Sequence, residues 1–247
     1  MVPSRLWLRV WGLVAMLAPG CRPLPDAPGQ TPAVTREREA EAARMVDGQL
    51  RGQGITDTHV LAAMRKVPRH RFVPEDEQAA AYDDRPLPIG FGQTISQPYI
   101  VAFMTQALAL SPSDVVLEIG TGSGYQAAVL AEIAREVYTI ELVPELAERA
   151  RVTLAAQGYH HVHVRAGDGY RGWPEHAPFR KIIVTAAPEE VPQALIDQLA
   201  IGGTMVVPVG PQWSHQELRI LTKTERGVVT ERSLPVRFVP MVKPPPA

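Results

Sequence analysis

Five short apolar runs punctuate the middle of the chain: Val115–Ile119, Val137–Ile140, Val162–Val164, Ile182–Val184 and Met205–Val209. Each is nearly continuous in its hydrophobic positions rather than alternating, which is the pattern of a strand covered on both faces. Helical patterns fall between them. Gln126–Arg135 is one, the stretch bracketed by Pro144 and Gly158 is a second, and Val191–Leu199, ending at Gly202-Gly203, is a third. Strands alternating with helices predict a parallel sheet with helices on both faces, a Rossmann-like α/β fold. Leu218–Thr222 and Val236–Val239 are the expected final strands, and Pro208 predicts an exit or irregularity near the end of the fifth.

Upstream the pattern is helical. Arg36–Arg51 is rich in Ala, Glu and Arg and stops at Gly52 and Gly54. Asp57–Lys66 places Val60, Leu61 and Met64 at helical spacing, and Pro68 ends it. Arg69–Pro74 reads as an extended connector and Glu75–Tyr82 as a further helical turn. Between Arg85 and Asp114 there is no charged residue. The second half of that stretch, Ile100–Leu110, reads as a buried helix. The first half, Pro86–Pro98, holds so much Gly and Pro that an irregular loop is expected. The organisation expected is therefore a leader over 1–35, N-terminal helices and a loop over 36–113, the α/β core over 114–210 and closing strands over 211–247.

At 247 residues the chain has room for one sizeable α/β domain with additions. A net charge of -1 gives no electrostatic footprint for nucleic acid. One cysteine rules out an internal disulfide framework and a cysteine-built metal site. That residue, Cys21, follows Arg5, Arg9, an apolar Val10–Ala18 and Pro19-Gly20, the order of a secretory or lipoprotein signal. The apolar run is too short to span a bilayer. Pro23, Pro25, Pro28 and Pro32 then form a stiff spacer. Export or lipid anchoring, the one route to a membrane, stands beside an over-long start before a cytoplasmic enzyme. The histidines His160, His161 and His163 lack a neighbouring Cys or carboxylate to complete a metal site, and none is expected.

The chemistry sits where the first run turns into glycines, Glu118-Ile119-Gly120-Thr121-Gly122-Ser123-Gly124-Tyr125. Strand, glycine turn and helix make a nucleotide-binding corner, because glycine lets backbone approach a ligand and a helix start offers free N–H groups. A dinucleotide fingerprint wants a third glycine where Tyr125 stands. An acid on the strand repels a pyrophosphate but suits a ligand with an ammonium and no phosphate, such as S-adenosylmethionine. Glu141, about 20 residues on, is placed for ribose hydroxyls. Asp168, between Gly167 and Gly169 at the end of the third run, is placed for the adenine edge. Three acids after three successive strands point to a class I methyltransferase corner.

Beyond the corner, Gln93-Thr94-Ile95-Ser96-Gln97-Pro98, Gly167-Asp168-Gly169, Ile182–Pro188, Val207-Pro208-Val209-Gly210, Arg237–Pro240 and Val67–Pro74 resemble segments of the protein-L-isoaspartate O-methyltransferases. The resemblance runs from about Val46 to Lys243 and leaves residues 1–35 without counterpart. It implies methyl transfer from S-adenosylmethionine to the free carboxylate of isoaspartyl residues in damaged proteins and peptides, with no metal. It places Ser96 at the active site, Thr94, Ile95, Gln97 and Val209 around the acceptor, and Glu118, Gly120, Thr121, Gly122, Glu141, Asp168 and Gly169 around the donor. A cytoplasmic location is expected from the family's habit and from the cytosolic supply of the donor. A monomer with no nucleic-acid partner is expected as well, the latter from the near-zero net charge. The plainer alternative for Ser96 is a hydroxyl at the start of the following helix.

Overall fold

A computed structural model of the chain describes residues 32–211 and 215–244, so the signal-like segment lies outside the described residues. Its centre is a seven-stranded sheet with strand order β5-β4-β3-β6-β7-β8-β9. The strands are β3 (Val115–Ile119), β4 (Glu136–Glu141), β5 (Val162–Ala166), β6 (Phe179–Val184), β7 (Leu199–Val209), β8 (Gln216–Thr224) and β9 (Gly227–Val236). The first five are parallel, and β8 and β9 run antiparallel. Chain order reverses between β3 and β6, which opens a crevice at their carboxyl ends, where open α/β sheets bind ligands.

The apolar runs are buried on both faces, as their patterning requires. Val116 packs with one layer, that of α2 (Thr58–Lys66), α3 (Pro98–Leu108), α4 (Tyr125–Ala131) and α5 (Pro144–Ala156). Leu117 and Ile119 point the other way, toward α6 (Gln193–Gln198). The doubly covered α/β sheet expected from the sequence is thus the fold. Helix α2 starts where expected because the Asp57 carboxylate accepts from His59 N–H (2.8 Å) and Val60 N–H (3.2 Å). Such a cap contributes about 1 kcal/mol.

Several expectations need correction. The segment Pro86–Pro98 is not irregular: β1 (Leu87–Gly90) pairs antiparallel with β2 (Gln93–Ile95). The dense Gly and Pro are the tight turn Gly90-Phe91-Gly92, all at positive φ, and a proline on a ribbon edge. Arg69–Phe72 is not extended but a 3₁₀ turn closed by Arg71 N–H to the Pro68 carbonyl at 2.8 Å. Gly202-Gly203 do not end a helix, since they lie inside β7. A Cβ at Gly203 would sit 2.8 Å from the Ala200 carbonyl and 2.9 Å from that of Arg180, so the glycine permits an irregular strand start beside β6. Pro208 does sit near the end of β7, which closes one residue later at Val209. Its partner there is Leu218 of β8, while pairing with β6 stops at Val206 and leaves no acceptor waiting for the missing N–H. The last strand is 227–236, not 236–239, because an edge strand with Val228 and Val229 exposed and polar residues in its middle lacks the continuous apolar run of a doubly covered one. Helix α1 (Pro32–Arg44) continues through a π turn (Met45–Leu50) and a 3₁₀ turn (Arg51–Gln53). Among the described residues no helix is long and apolar enough to cross a membrane.

Candidate active site

The glycine turn after β3 is fastened on both sides. The N–H groups of Gly120 (2.8 Å) and Thr121 (3.3 Å) donate to the Ile140 carbonyl at the end of β4. On the β6 side, Thr185 Oγ1 donates to the carbonyls of Gly120 (2.7 Å) and Ile119 (3.0 Å). Gly120 has φ +100°, and a Cβ there would lie 2.4 Å from Thr185 Oγ1. Only glycine fits, because the strand, the turn and the Thr185 loop meet at that point. Thr121 Oγ1 bonds Thr139 Oγ1 at 2.6 Å, and the Glu141 carboxylate accepts from Gly122 N–H (2.8 Å) and Val143 N–H (3.0 Å).

This turn forms the floor of a cavity. Gly120–Ser123, Tyr125 and Gln126 line one side, Ile140–Val143 continue it, and Thr185, Ala186 and Gly169 close the base. The facing wall is Gln93–Ser96 of the ribbon with Val101 and Met104 of α3. Val239–Val242 complete the rim. That last segment crosses from the sheet edge onto the site: Ala187 N–H donates to the Val239 carbonyl, Met241 N–H to the Ala187 carbonyl, and Tyr170 Oη to the Met241 carbonyl, each at 2.8 Å. Glu141 is the one charged side chain among the lining residues described.

Of the residues expected from the sequence, Ser96, Thr94, Ile95, Gly120, Thr121, Gly122, Glu141 and Gly169 line this one cavity. Glu118, Asp168, Gln97 and Val209 do not. Glu118 is fully buried under the turn, and neither of its carboxylate oxygens has a hydrogen-bond partner. Burial pushes its pKa up to about 8, against an opposing pull from Thr139 and with a smaller push in the same direction from nearby Glu141. Thr139 makes no hydrogen bond to Glu118; its hydroxyl lies 2.6 Å from that of Thr121. Asp168 turns back to accept from Tyr170 N–H at 2.9 Å, which caps the 3₁₀ turn that places Gly169 in the cavity. Gln97 is the N-cap of α3 and makes no side-chain capping bond.

Other contributors were not assigned a role one by one from the sequence, although Arg69, Thr185 and Val239 lie in segments that carry the resemblance and the Phe238–Val239 region matches its acceptor cleft. Arg69, fully buried, donates to the Ser96 carbonyl at 2.7 Å. Asp84 accepts from Tyr99 N–H (2.9 Å) and from Gln53 Nε2 (2.9 Å), and so supports the α3 start from a distance. Thr185 and Val239–Val242 reach the site only through strand order. None has a local signature, since each acts on a segment remote in sequence. The histidines are structural: His161 Nε2 meets the Ala131 carbonyl at 2.9 Å, and His163 stacks on Tyr138 at 4.7 Å. Among the described residues no group of three His, Cys, Asp or Glu could hold a metal ion.

Comparison with known proteins falls on the same segments. Residues 41–245 match the family model described as protein-L-isoaspartate(D-aspartate) O-methyltransferase. The chain is 61% identical over 202 residues to a Gloeobacter violaceus protein-L-isoaspartate O-methyltransferase, covering 82% of this chain and 98% of that one. It is 58% identical over 225 residues to a Synechococcus protein of the same name, covering 89% and 92%. Among solved structures, a protein-L-isoaspartate O-methyltransferase at 29% identity superposes with a TM-score of 0.74, over 82% of this chain and 65% of that one. A Plasmodium falciparum structure with S-adenosyl-L-homocysteine bound, 24% identical, shares the fold at a TM-score of 0.69 over 84% and 99%.

Proposed function

The chain belongs to the protein-L-isoaspartate(D-aspartate) O-methyltransferase family, and from that premise we propose that it methylates the free carboxylate of isoaspartyl residues in proteins and peptides, using S-adenosylmethionine. The observation that carries the reading is the composition of one cavity. The glycine corner and the Gln93–Ser96 segment face the same space, and its one charged lining residue is an acid. A phosphate-bearing cofactor would meet Glu141 with no cation to offset it. A cationic donor without phosphate fits.

The bound donor supplies a methyl group on a sulfonium sulfur; a carboxylate oxygen of the isoaspartyl residue forms the new C–O bond as the S–CH₃ bond breaks, leaving a thioether and a methyl ester. The chain's own residues have little proton chemistry to do. A carboxyl with an ordinary pKa near 4 is already ionised at neutral pH, so no general base is needed. Opposite charges vanish along the reaction, and water stabilises the separated charges better than the state between them. A site that excludes water and aligns the reactants therefore accelerates it. Ile95, Val101, Met104 and Met241 supply the apolar walls. Glu141, already ordered by two backbone N–H groups, keeps acceptor capacity for ribose hydroxyls. Gly120 and Gly122 let backbone approach the donor, with Thr121 held in place by Thr139. Glu118 lies under the turn, where its charged form is favoured by an ammonium entering above. Ser96 is assigned as a neutral hydrogen-bond positioner for the acceptor, with Thr94 and Ile95 beside it; Gln97 starts the following helix and Val209 ends β7, outside the lining. Asp168 acts through the turn that it caps.

We place the protein in the cytoplasm, where its donor is made, and read it as a monomer; mass spectrometry of the native N-terminus and light scattering test these two points. The activity itself is tested with two peptides of one sequence, one carrying isoaspartate and the other aspartate. Labelled methyl should pass to the first as a base-labile ester and not to the second. Equal labelling, or none, overturns the proposal.

A further inference from the structure

The two walls of the cavity come from segments that no strand pairing joins, and one buried cation touches both. Arg69 has no accessible surface and forms no ion pair among the described residues. An unpaired buried charge is expensive, and burial accordingly pulls the pKa of this guanidinium down. Its direct partners are all neutral, and the only carboxylate that favours its charge, Asp84, acts at a distance without an ion pair among the described residues. Nε donates to the Ala81 carbonyl and Nη2 to the Ser96 carbonyl, each at 2.7 Å. The guanidinium carbon lies 4.7 Å from the centroid of the Tyr125 ring, the first residue of α4 after the glycine turn. Nη1 has no acceptor.

Ser96 and Tyr125 both line the cavity, one on the acceptor wall and one on the donor wall. Resting on the function proposed above, we propose that Arg69 is a positioning residue that fixes the spacing between the Ser96 loop and the glycine corner. It does not line the cavity and touches no reactant. Its planar fork grips two carbonyls while its face lies on an aromatic ring, a combination of edge and face that an ammonium cannot reproduce. A buried charge tied only to neutral groups is a costly way to add stability, but it suits a joint whose geometry must be unique. Alignment within a fraction of an ångström governs methyl transfer, so loosening this joint should affect turnover more than donor binding.

The test compares wild-type enzyme with Arg69→Lys and Arg69→Met. Competent sites are first counted by calorimetric titration with S-adenosylhomocysteine, and turnover of an isoaspartyl peptide is then expressed per competent site. Wild-type activity in the same assay checks the underlying function independently of Arg69. The expected result is a Kd for S-adenosylhomocysteine within about threefold of wild type and a kcat at least tenfold lower in both variants, with lysine giving no rescue. If Arg69→Lys keeps kcat per competent site within twofold, the fork has no positioning role. If the whole loss lies in the number of competent sites, or if neither variant binds S-adenosylhomocysteine, Arg69 is a folding element and the proposal is overturned.

Discussion

Gly122 N–H donates to Glu141 Oε2 at 2.8 Å, so the glycine turn after one strand and the acid after the next form a single unit. Val143 N–H holds the other oxygen at 3.0 Å. Both oxygens are thus fixed before any ligand arrives, and each keeps a lone pair for a further donor. Replacing Glu141 by Ala removes the ribose acceptors and frees the turn. Hydrogen bonds to a charged group are worth about 1.5–3 kcal/mol, or roughly 10- to 100-fold in affinity. Calorimetry should show that loss in S-adenosylhomocysteine binding, with the peptide KM little changed. An unaltered donor Kd would remove Glu141 from the donor site.

Gly120→Ala brings a methyl group to 2.4 Å from Thr185 Oγ1 at φ +100°. Strained backbone of this kind costs on the order of 1–3 kcal/mol before the clash is counted. Thermal unfolding should report a lower Tm, and donor binding should weaken because the turn must shift away from Thr185. Gly120→Ala combined with Thr185→Ala should recover part of the loss, since the nearest obstructing atom is then gone.

Glu118 gives a pH signature. Its folded pKa of about 8 lies above the ordinary carboxylate value of 4.5, so the folded state binds a proton that the unfolded state has released. Its contribution to stability therefore falls as pH rises from 4.5 to 8, by ~1.4 kcal/mol per unit inside the window. His70 works in the opposite sense at lower pH. Burial, reinforced by Arg71 and Arg38, pushes its pKa down to about 4, and its contribution grows from pH 4 to 6.5 and is then constant. The Glu118 slope is therefore cleanest between pH 6.5 and 8. Urea denaturation across that interval should show a decline in wild type that Glu118→Gln flattens. If an ammonium docks above Glu118, donor binding at pH 7 should also release a fraction of a proton. Calorimetry in two buffers of different ionisation enthalpy measures it, and Glu118→Gln should abolish it.

Ser96→Ala separates side chain from backbone. Arg69 holds the Ser96 carbonyl, which alanine retains, and the helix that follows is capped from Gln97 without a side-chain bond. Stability should change by less than about 0.5 kcal/mol, as for an ordinary surface substitution. Turnover of isoaspartyl peptide should fall at least tenfold with the donor Kd intact. A drop in Tm matching the lost activity would instead make the hydroxyl structural.

The sequence by itself determined the layered α/β sheet, because runs such as Val115–Ile119 and Ile182–Val184 can be satisfied only by burial on both faces. It also exposed the glycine corner and Glu141, since close backbone approach and an acid after a strand leave local marks. It did not reveal the ribbon around Phe91, where Gly and Pro serve a tight turn, nor β9, an edge strand whose apolar residues form no continuous run. Tertiary structure alone decided which acid reaches the cavity. Glu118 lies within β3 and Glu141 ends β4, and one is sealed under the turn without a partner while the other is held at the rim by two N–H groups. It alone brought Arg69, Thr185 and Met241 to the site, through contacts spanning 27, 65 and 71 residues. Side-chain periodicity records which way a residue faces along its own element; what it meets there is set by strand order and packing, which have no counterpart in local sequence.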